Sequence, residues 1–217
     1  MNRNELREAF AKISTGDIAD AMVTAGVTPK TIIGLHAVNP NQKPAAGYAR
    51  TLKQMVRSNA RKEYALTKHG GFIDGVIGPD DVLVIDNDGR MDVCTGGALL
   101  VTRAKVKGVQ GFIINGCLRD IDDIEQIDIP VYLKGGCPIK SSPLLETVGI
   151  DIPVQIGDTQ VCPGDLIVMD KTGIIVVPVE EAVRVLEIAL RIQIREDKRM
   201  EYVRNGGSVA NSLKEIE

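Results

Sequence analysis

The sequence predicts a single α/β domain, and three observations carry that reading. Apolar runs of strand length alternate with segments of helical spacing. Glycines and Pro-Gly or Asp-Gly turns separate most of them. No flexible linker divides the chain into a block of strands and a block of helices, so residues 1–217 read as one domain ending in a helix at about 180–205.

The elements follow in order. Ser14 or Thr15 caps a short helix through Asp17 to Ala25, closed by Gly26. Ala45 to Leu52 reads as a loop entering a strand, and Ser58 as the cap of a helix through Lys68 that stops at Gly70-Gly71. Val82 to Ile85 is a buried strand between the turns Gly78–Asp81 and Asp86–Gly89. Gly97 to Lys107 has helical spacing and ends at Gly108; the strand Phe112–Ile114 follows. Val131–Leu133 and Ile152–Ile156, each containing or following a proline, read as edge or loop-flanked strands. Leu166–Met169 and Ile174–Val177 form a hairpin across Asp170–Gly173. From Glu180 a long helix carries Val183, Leu186, Ile188, Leu190 and Ile194 as a broad apolar stripe, and Gly206-Gly207 ends it.

Composition narrows the function. Hydrophobic residues make up 44% and charged residues 25%, as in an ordinary globular protein. The net charge of -3 argues against an electrostatic nucleic-acid partner. No apolar run approaches membrane-spanning length, and Met1–Glu5 lacks the apolar core of a signal peptide, so a cytoplasmic location without membrane contact is expected. The four cysteines are widely spaced and read as reduced, mostly buried thiols. His36 and His69, the only histidines, are too far apart in sequence for a histidine-rich zinc motif.

Residues 111–120 concentrate the chemistry. An apolar run, Phe112-Ile113-Ile114, ends near a glycine and is followed by Arg119 and Asp120. A carboxylate there can hold a hard divalent cation, and a guanidinium can fork onto an anion. Both would lie at the carboxyl end of a strand, where open α/β sheets bind ligands. Asp120 can equally cap the short helix beginning at Ile121. Gly96-Gly97-Ala98-Leu99 opens a helix with free N–H groups that suit a carboxylate; alone it is also a simple strand-to-helix turn. Cys162–Asp165 and Asp170–Gly173 read as turns, and Arg195–Arg199 as a solvated helix face.

Taken together, these segments resemble one family, the class II pyruvate aldolases typified by 4-hydroxy-4-methyl-2-oxoglutarate aldolase, which also contains the RraA regulators of ribonuclease activity. The landmarks are Asp17–Ala21, Ala46–Thr51, Gly96–Leu100, Gly111–Asp120, Pro163–Leu166 and Asp170–Pro178, in this order over most of the chain. The resemblance implies a swivelling β/β/α sandwich, assembled as a homotrimer or a hexamer (a dimer of trimers) with sites at subunit interfaces. It implies a divalent metal, Mg²⁺ or Mn²⁺, on Asp120, and a small 2-keto acid substrate bound by Arg119 and by the backbone of Gly97, Ala98 and Leu99. It implies further that Glu196 is lent by an adjacent subunit. The activity expected from the resemblance is cleavage of a 4-hydroxy-2-oxo acid, decarboxylation of oxaloacetate, or both. A non-catalytic regulator on the same scaffold is the alternative.

One position departs from the family's aldolases. They carry an acid with twenty residues between it and the Arg, and here that position is Ala98. The acid organises removal of the hydroxyl proton in aldol cleavage, whereas decarboxylation needs only an electron sink. Asp92, Asp122, Asp123 and Glu125 are the acids near in sequence that are candidates to replace it. No strand–GxGxxG–helix nucleotide site is present.

Overall fold

A computed structural model describes residues 1–57 and 69–216. Its elements run α1 (Arg3–Phe10), α2 (Thr15–Thr24), β1 (Lys30–Ile32), β2 (His36–Ala37), β3 (Ala45–Val56), α3 (His69–Gly75), β4 (Asp81–Asp86), α4 (Ala98–Val106), β5 (Gly111–Leu118) and α5 (Ile121–Glu125). They continue with β6 (Val131–Gly136), β7 (Leu145–Ile150), β8 (Val154–Ile156), β9 (Thr159–Val161), β10 (Leu166–Met169), β11 (Ile174–Val177), α6 (Ala182–Arg204) and α7 (Val209–Glu215).

The main sheet has the order β1-β11-β10-β3-β4-β5-β6-β2, with β7 paired to the far end of β3. Its centre, β3 to β6, is parallel, and the flanking strands are antiparallel. The sheet curls: the phenol of Tyr132 on β6 donates to the carbonyl of Asp170 at the end of β10. The alternation of strand side chains then supplies two faces. Val82, Val84 and Ile113 point to the concave side, where they share a core with Ile156 and Val161 of the β8–β9 hairpin. Leu83, Ile85, Phe112 and Ile114 point to the convex side, under α3, α4 and α5. A second convex cluster joins β3, β10 and β11 to α1, α2 and α6. This is the swivelling β/β/α sandwich.

The ends of the elements are set locally. Ser14 caps α2 by accepting from the Asp17 N–H at 3.0 Å, and Gly26 turns the chain at φ 71°. Asp170 accepts from the Thr15 N–H and hydroxyl, both at 2.9 Å, and from the N–H groups of Thr172 and Gly173. Burial alone would push this carboxyl up, but the four donors more than offset it and hold it below the ordinary carboxylate range. The turn readings at Asp170 and Asp165 therefore hold, and both carboxylates serve the backbone.

Several expectations are corrected. Ala45–Leu52 is no loop: β3 is a twelve-residue strand, because it is covered on both faces and paired on both sides. The helix placed at Ser58–Lys68 lies outside the described residues, and Gly70-Gly71 do not stop a helix, since α3 contains both. Strand β5 does not end at Ile114 but passes through Gly116 to Leu118, with a shift in its register against β6. Strand β6 is interior, flanked by β5 and β2. On α6 the buried positions are Ala182, Val185, Leu186, Ala189 and Ile192, whereas Val183, Leu190 and Ile194 are exposed. Leu186 is buried and Ile188 packs on the core as expected, but the rest of the buried face is Ala182, Val185, Ala189 and Ile192, which a reading weighted towards large side chains passes over.

Candidate functional site

Arg119 and Asp120 follow β5 directly, at the carboxyl end of the parallel strands. The loop before α4 comes up beside them. The Thr95 N–H donates to the Cys117 carbonyl at 2.9 Å, which sets the backbone of Cys94 beside that of Cys117 with both thiols free, and the Arg119 N–H donates to the Gly96 carbonyl at 3.0 Å. These bonds stitch the Gly96-Gly97 turn to the end of β5.

Asp120 has left-handed backbone, φ 59° and ψ 42°, a conformation that costs a non-glycine residue about 1 kcal/mol. It occupies the capping position of α5, yet its side chain makes no cap bond there. The carboxylate instead turns to α4: Oδ2 accepts from the Ala98 N–H at 3.3 Å and lies 3.5 Å from Arg119 Nε. The helix-cap reading of Asp120 is thus excluded for its side chain. Both side chains are partly exposed, 46% for Arg119 and 39% for Asp120. Neither is consumed by a buried structural ion pair.

Gly97 precedes α4 in extended backbone with no side-chain cap, so the first N–H groups of the helix face the Arg119–Asp120 pair. Leu99, in the first turn of α4, is 86% exposed. A cavity of about 530 Å³ opens over this turn and is lined by Arg119, Gly97, Leu99, Arg103, Lys140 and His69 among others. A second cavity, about 330 Å³, holds Asp120 and Cys137, and Arg119 lies on both.

The structure brings together Gly97, Ala98, Leu99, Arg119 and Asp120. Glu196 is elsewhere: it lies on α6, in the other convex helix layer, bonded to Arg199 at 2.5 Å. None of the four acids Asp92, Asp122, Asp123 and Glu125 lines either cavity; Asp92 pairs with Arg90. Among the described residues the acid on the larger cavity is Asp74, which sequence reasoning missed, and Arg103 holds it at 2.6 Å. Arg103 and Lys140 were missed too. Nothing local marks them, because they reach the cavity from α4 and from a loop beyond β6.

A metal fits here only in one form. Among the described residues no group of three His, Cys, Asp or Glu side chains is arranged to hold an ion. Asp120 offers a partly exposed carboxylate that makes no cap bond to its own helix and only a long one, 3.3 Å, to the Ala98 N–H. One carboxylate completed by water and substrate oxygens suits a hard cation such as Mg²⁺ or Mn²⁺ and not a zinc cage. The cysteines offer no competing ligand set. Cys94, Cys117 and Cys137 cluster in the interior, and burial, with Cys137 beside it, pushes the Cys117 thiol up to about 12. A thiol so disfavoured from ionising is a core group.

These features define a β/β/α protein whose site joins a helix-opening glycine turn to an Arg-Asp pair at the edge of the parallel strands. The chain belongs to the RraA-like family: the model described as Aldolase/RraA matches residues 15–176. It is 30% identical over 190 residues to a Halalkalibacterium halodurans protein provisionally named 4-hydroxy-4-methyl-2-oxoglutarate aldolase, covering 88% of this chain and 84% of that one. An uncharacterized Methanocaldococcus jannaschii protein is 30% identical, with 85% of each chain covered. Among solved structures, an uncharacterized Pseudomonas syringae protein superposes with a TM-score of 0.84 at 22% identity, covering 97% of both chains. Streptomyces coelicolor RraAS2, described as an unusual member of the RNase ES inhibitor RraA family, superposes with a TM-score of 0.79 at 28% identity, covering 91% of this chain and 98% of that one. Among the described residues no helix is long and apolar enough to cross a membrane.

Proposed function

We propose that this chain is a divalent-metal-dependent lyase of small 2-keto acids, with decarboxylation of oxaloacetate ahead of aldol cleavage. The observation that carries the reading is the Asp120 carboxylate, turned away from its own helix α5 and set beside Arg119 and the Ala98 N–H. The provisional aldolase name of the Halalkalibacterium relative supports it.

The chemistry follows from the parts. The N–H groups of Gly97, Ala98 and Leu99 hold the substrate's 1-carboxylate at the positive end of α4. Breaking the bond beside the keto group leaves an electron pair that moves onto the keto oxygen as a pyruvate enolate. Arg119 faces that oxygen and stabilises its growing charge. Asp120 would hold the divalent cation, which when bound would supply Lewis-acid withdrawal of that charge. In decarboxylation, CO₂ departs and C3 takes a proton; no hydroxyl proton has to leave. Aldol cleavage needs that extra proton transfer, and Ala98 supplies no group for it.

The reading includes assembly as a trimer or dimer of trimers, in which Glu196 of a neighbouring copy completes the site. Its supports are the exposure of Leu99 at the cavity and the separation of Glu196 from Asp120 within one chain. The test is calorimetry of Mg²⁺ or Mn²⁺ with oxalate, followed by a 2-keto acid panel. Wild type should bind metal and oxalate together, and Asp120→Ala should bind neither measurably. Metal binding unchanged in Asp120→Ala would sink the assignment.

A regulator without catalysis is the second reading. Ala98 and the likeness to RraAS2 favour it. It would stand if the metal-loaded protein turned over no 2-keto acid and Ala98→Asp restored nothing.

A further inference from the structure

We propose that Thr95 is a positioning residue for the site: its hydroxyl, held by Gln54, sets where the Gly97–Leu99 amides lie. The inference rests on the reading of those amides as the carboxylate cradle.

The loop before α4 is tied on three sides, one of them the Cys94 N–H to the Ile139 carbonyl beyond β6 at 2.8 Å. Towards β5 the ties are the backbone bonds from the Thr95 N–H to the Cys117 carbonyl and from the Arg119 N–H to the Gly96 carbonyl. Towards β3 there is a buried side-chain tie, from the Thr95 hydroxyl to Gln54 Oε1. Both residues have no exposed surface. Thr95 lies two residues before Gly97, so a tilt at Thr95 swings the amides that follow. The backbone ties hold the chain before and beside the turn; the Gln54 bond is the side-chain hold on Thr95 itself.

Gln54 is itself placed by an irregularity. The pairing of β3 with β7 shifts register between Lys53 and Gln54, and such bulges re-aim a side chain. The amide pays poorly for its own burial: among the described residues Gln54 Nε2 has no hydrogen-bond partner, nor does the hydroxyl of Thr147, its register partner on β7. A buried amide with one end unbonded lowers stability relative to an apolar residue. Its remaining bond is the one that fixes Thr95.

The experiment separates positioning from ordinary structural support. Thr95→Val leaves Gln54 Oε1 unpaired, so it lowers both stability and oxalate affinity under either view. Thr95→Val with Gln54→Leu removes both partners, and replacing a pair by apolar groups restores much of the stability. Measure oxalate binding in the presence of Mg²⁺, the melting temperature, and amide hydrogen exchange of the 95–100 segment. The double variant should regain its melting temperature while oxalate affinity stays down by about tenfold or more. Exchange at Gly97–Leu99 should stay fast, and Thr95→Ser should behave as wild type. Affinity that returns with the melting temperature would reduce Thr95 to a core residue and overturn the proposal. If wild type itself binds no oxalate, the reading of the cradle fails, and exchange alone then decides: accelerated exchange in the double variant supports the positioning role, and unchanged exchange overturns it.

Discussion

Asp120 fills the space that a side chain on Gly97 would need. A Cβ built at position 97 would overlap Asp120 Oδ2 and lie 2.8 Å from Arg119 Cγ. The glycine is required here for close approach, since its extended backbone is open to any residue. Contact with both members of the pair joins the turn and the strand end into one unit.

Gly97→Ala should therefore drive the Arg119–Asp120 pair away from the start of α4. A displacement near 1 Å at reacting groups costs about 100-fold in rate. The expected outcome is a loss of at least that order in kcat/KM for oxaloacetate, with weaker Mg²⁺ binding and a folded protein by circular dichroism. Normal turnover in this variant would mean that the pair acts elsewhere or not at all.

In the proposed reading Arg119 meets the substrate through its planar fork, and an ammonium has no equivalent geometry. Arg119→Lys keeps the charge beside Asp120 and loses the orientation. Steady-state kinetics should show kcat reduced by about 100-fold or more, the loss typical of removing one donor to a developing oxyanion. A fully active Lys variant would mark the guanidinium as a surface group.

Much of this arrangement can be read from the chain, because its periodic parts are local. Strand β4 is a run of buried aliphatics between two Asp-Gly or Pro-Asp turns, and α4 is bracketed by Gly97 and Gly108. Arg119 and Asp120 stand out because they follow an apolar strand. Strand β7 is hidden: Glu146, Thr147 and Gly149 lack a strand pattern, and only pairing with β3 makes them one. The fit of Gly97 against Asp120 is equally silent, since it joins residues 23 positions apart through tertiary packing alone. The same holds for Thr95 and Gln54. Register shifts at Gly116 and Gln54 break strict alternation, which is where pattern reading misplaced an end or saw no role.

Asp170 supplies a pH test of the fold that does not depend on the site. Its folded pKa lies below the ordinary value, so its contribution is complete above the unfolded carboxylate pKa and is lost as pH falls through the folded one. Asp170→Asn should lower stability at pH 7 by about 1–3 kcal/mol, through lost charge-assisted bonds to Thr15, Thr172 and Gly173. Urea unfolding across pH should show the gap between the two proteins closing as pH drops below the carboxylate range. A gap that stays constant with pH would show that the ionised form of Asp170 is not what the four donors stabilise.

Ala98 separates the two reactions of a 2-keto acid lyase. Its N–H meets Asp120, and its side chain begins α4 where a carboxylate is favoured by the helix dipole. Ala98→Asp or Ala98→Glu should raise aldol cleavage of a 4-hydroxy-2-keto acid more than decarboxylation of oxaloacetate, because only cleavage has a hydroxyl proton to remove. The new charge also repels the substrate carboxylate at the neighbouring amides, which raises KM for both substrates. The ratio of the two kcat values is therefore the quantity to compare. A ratio that does not move towards cleavage would show that proton removal is not what position 98 controls.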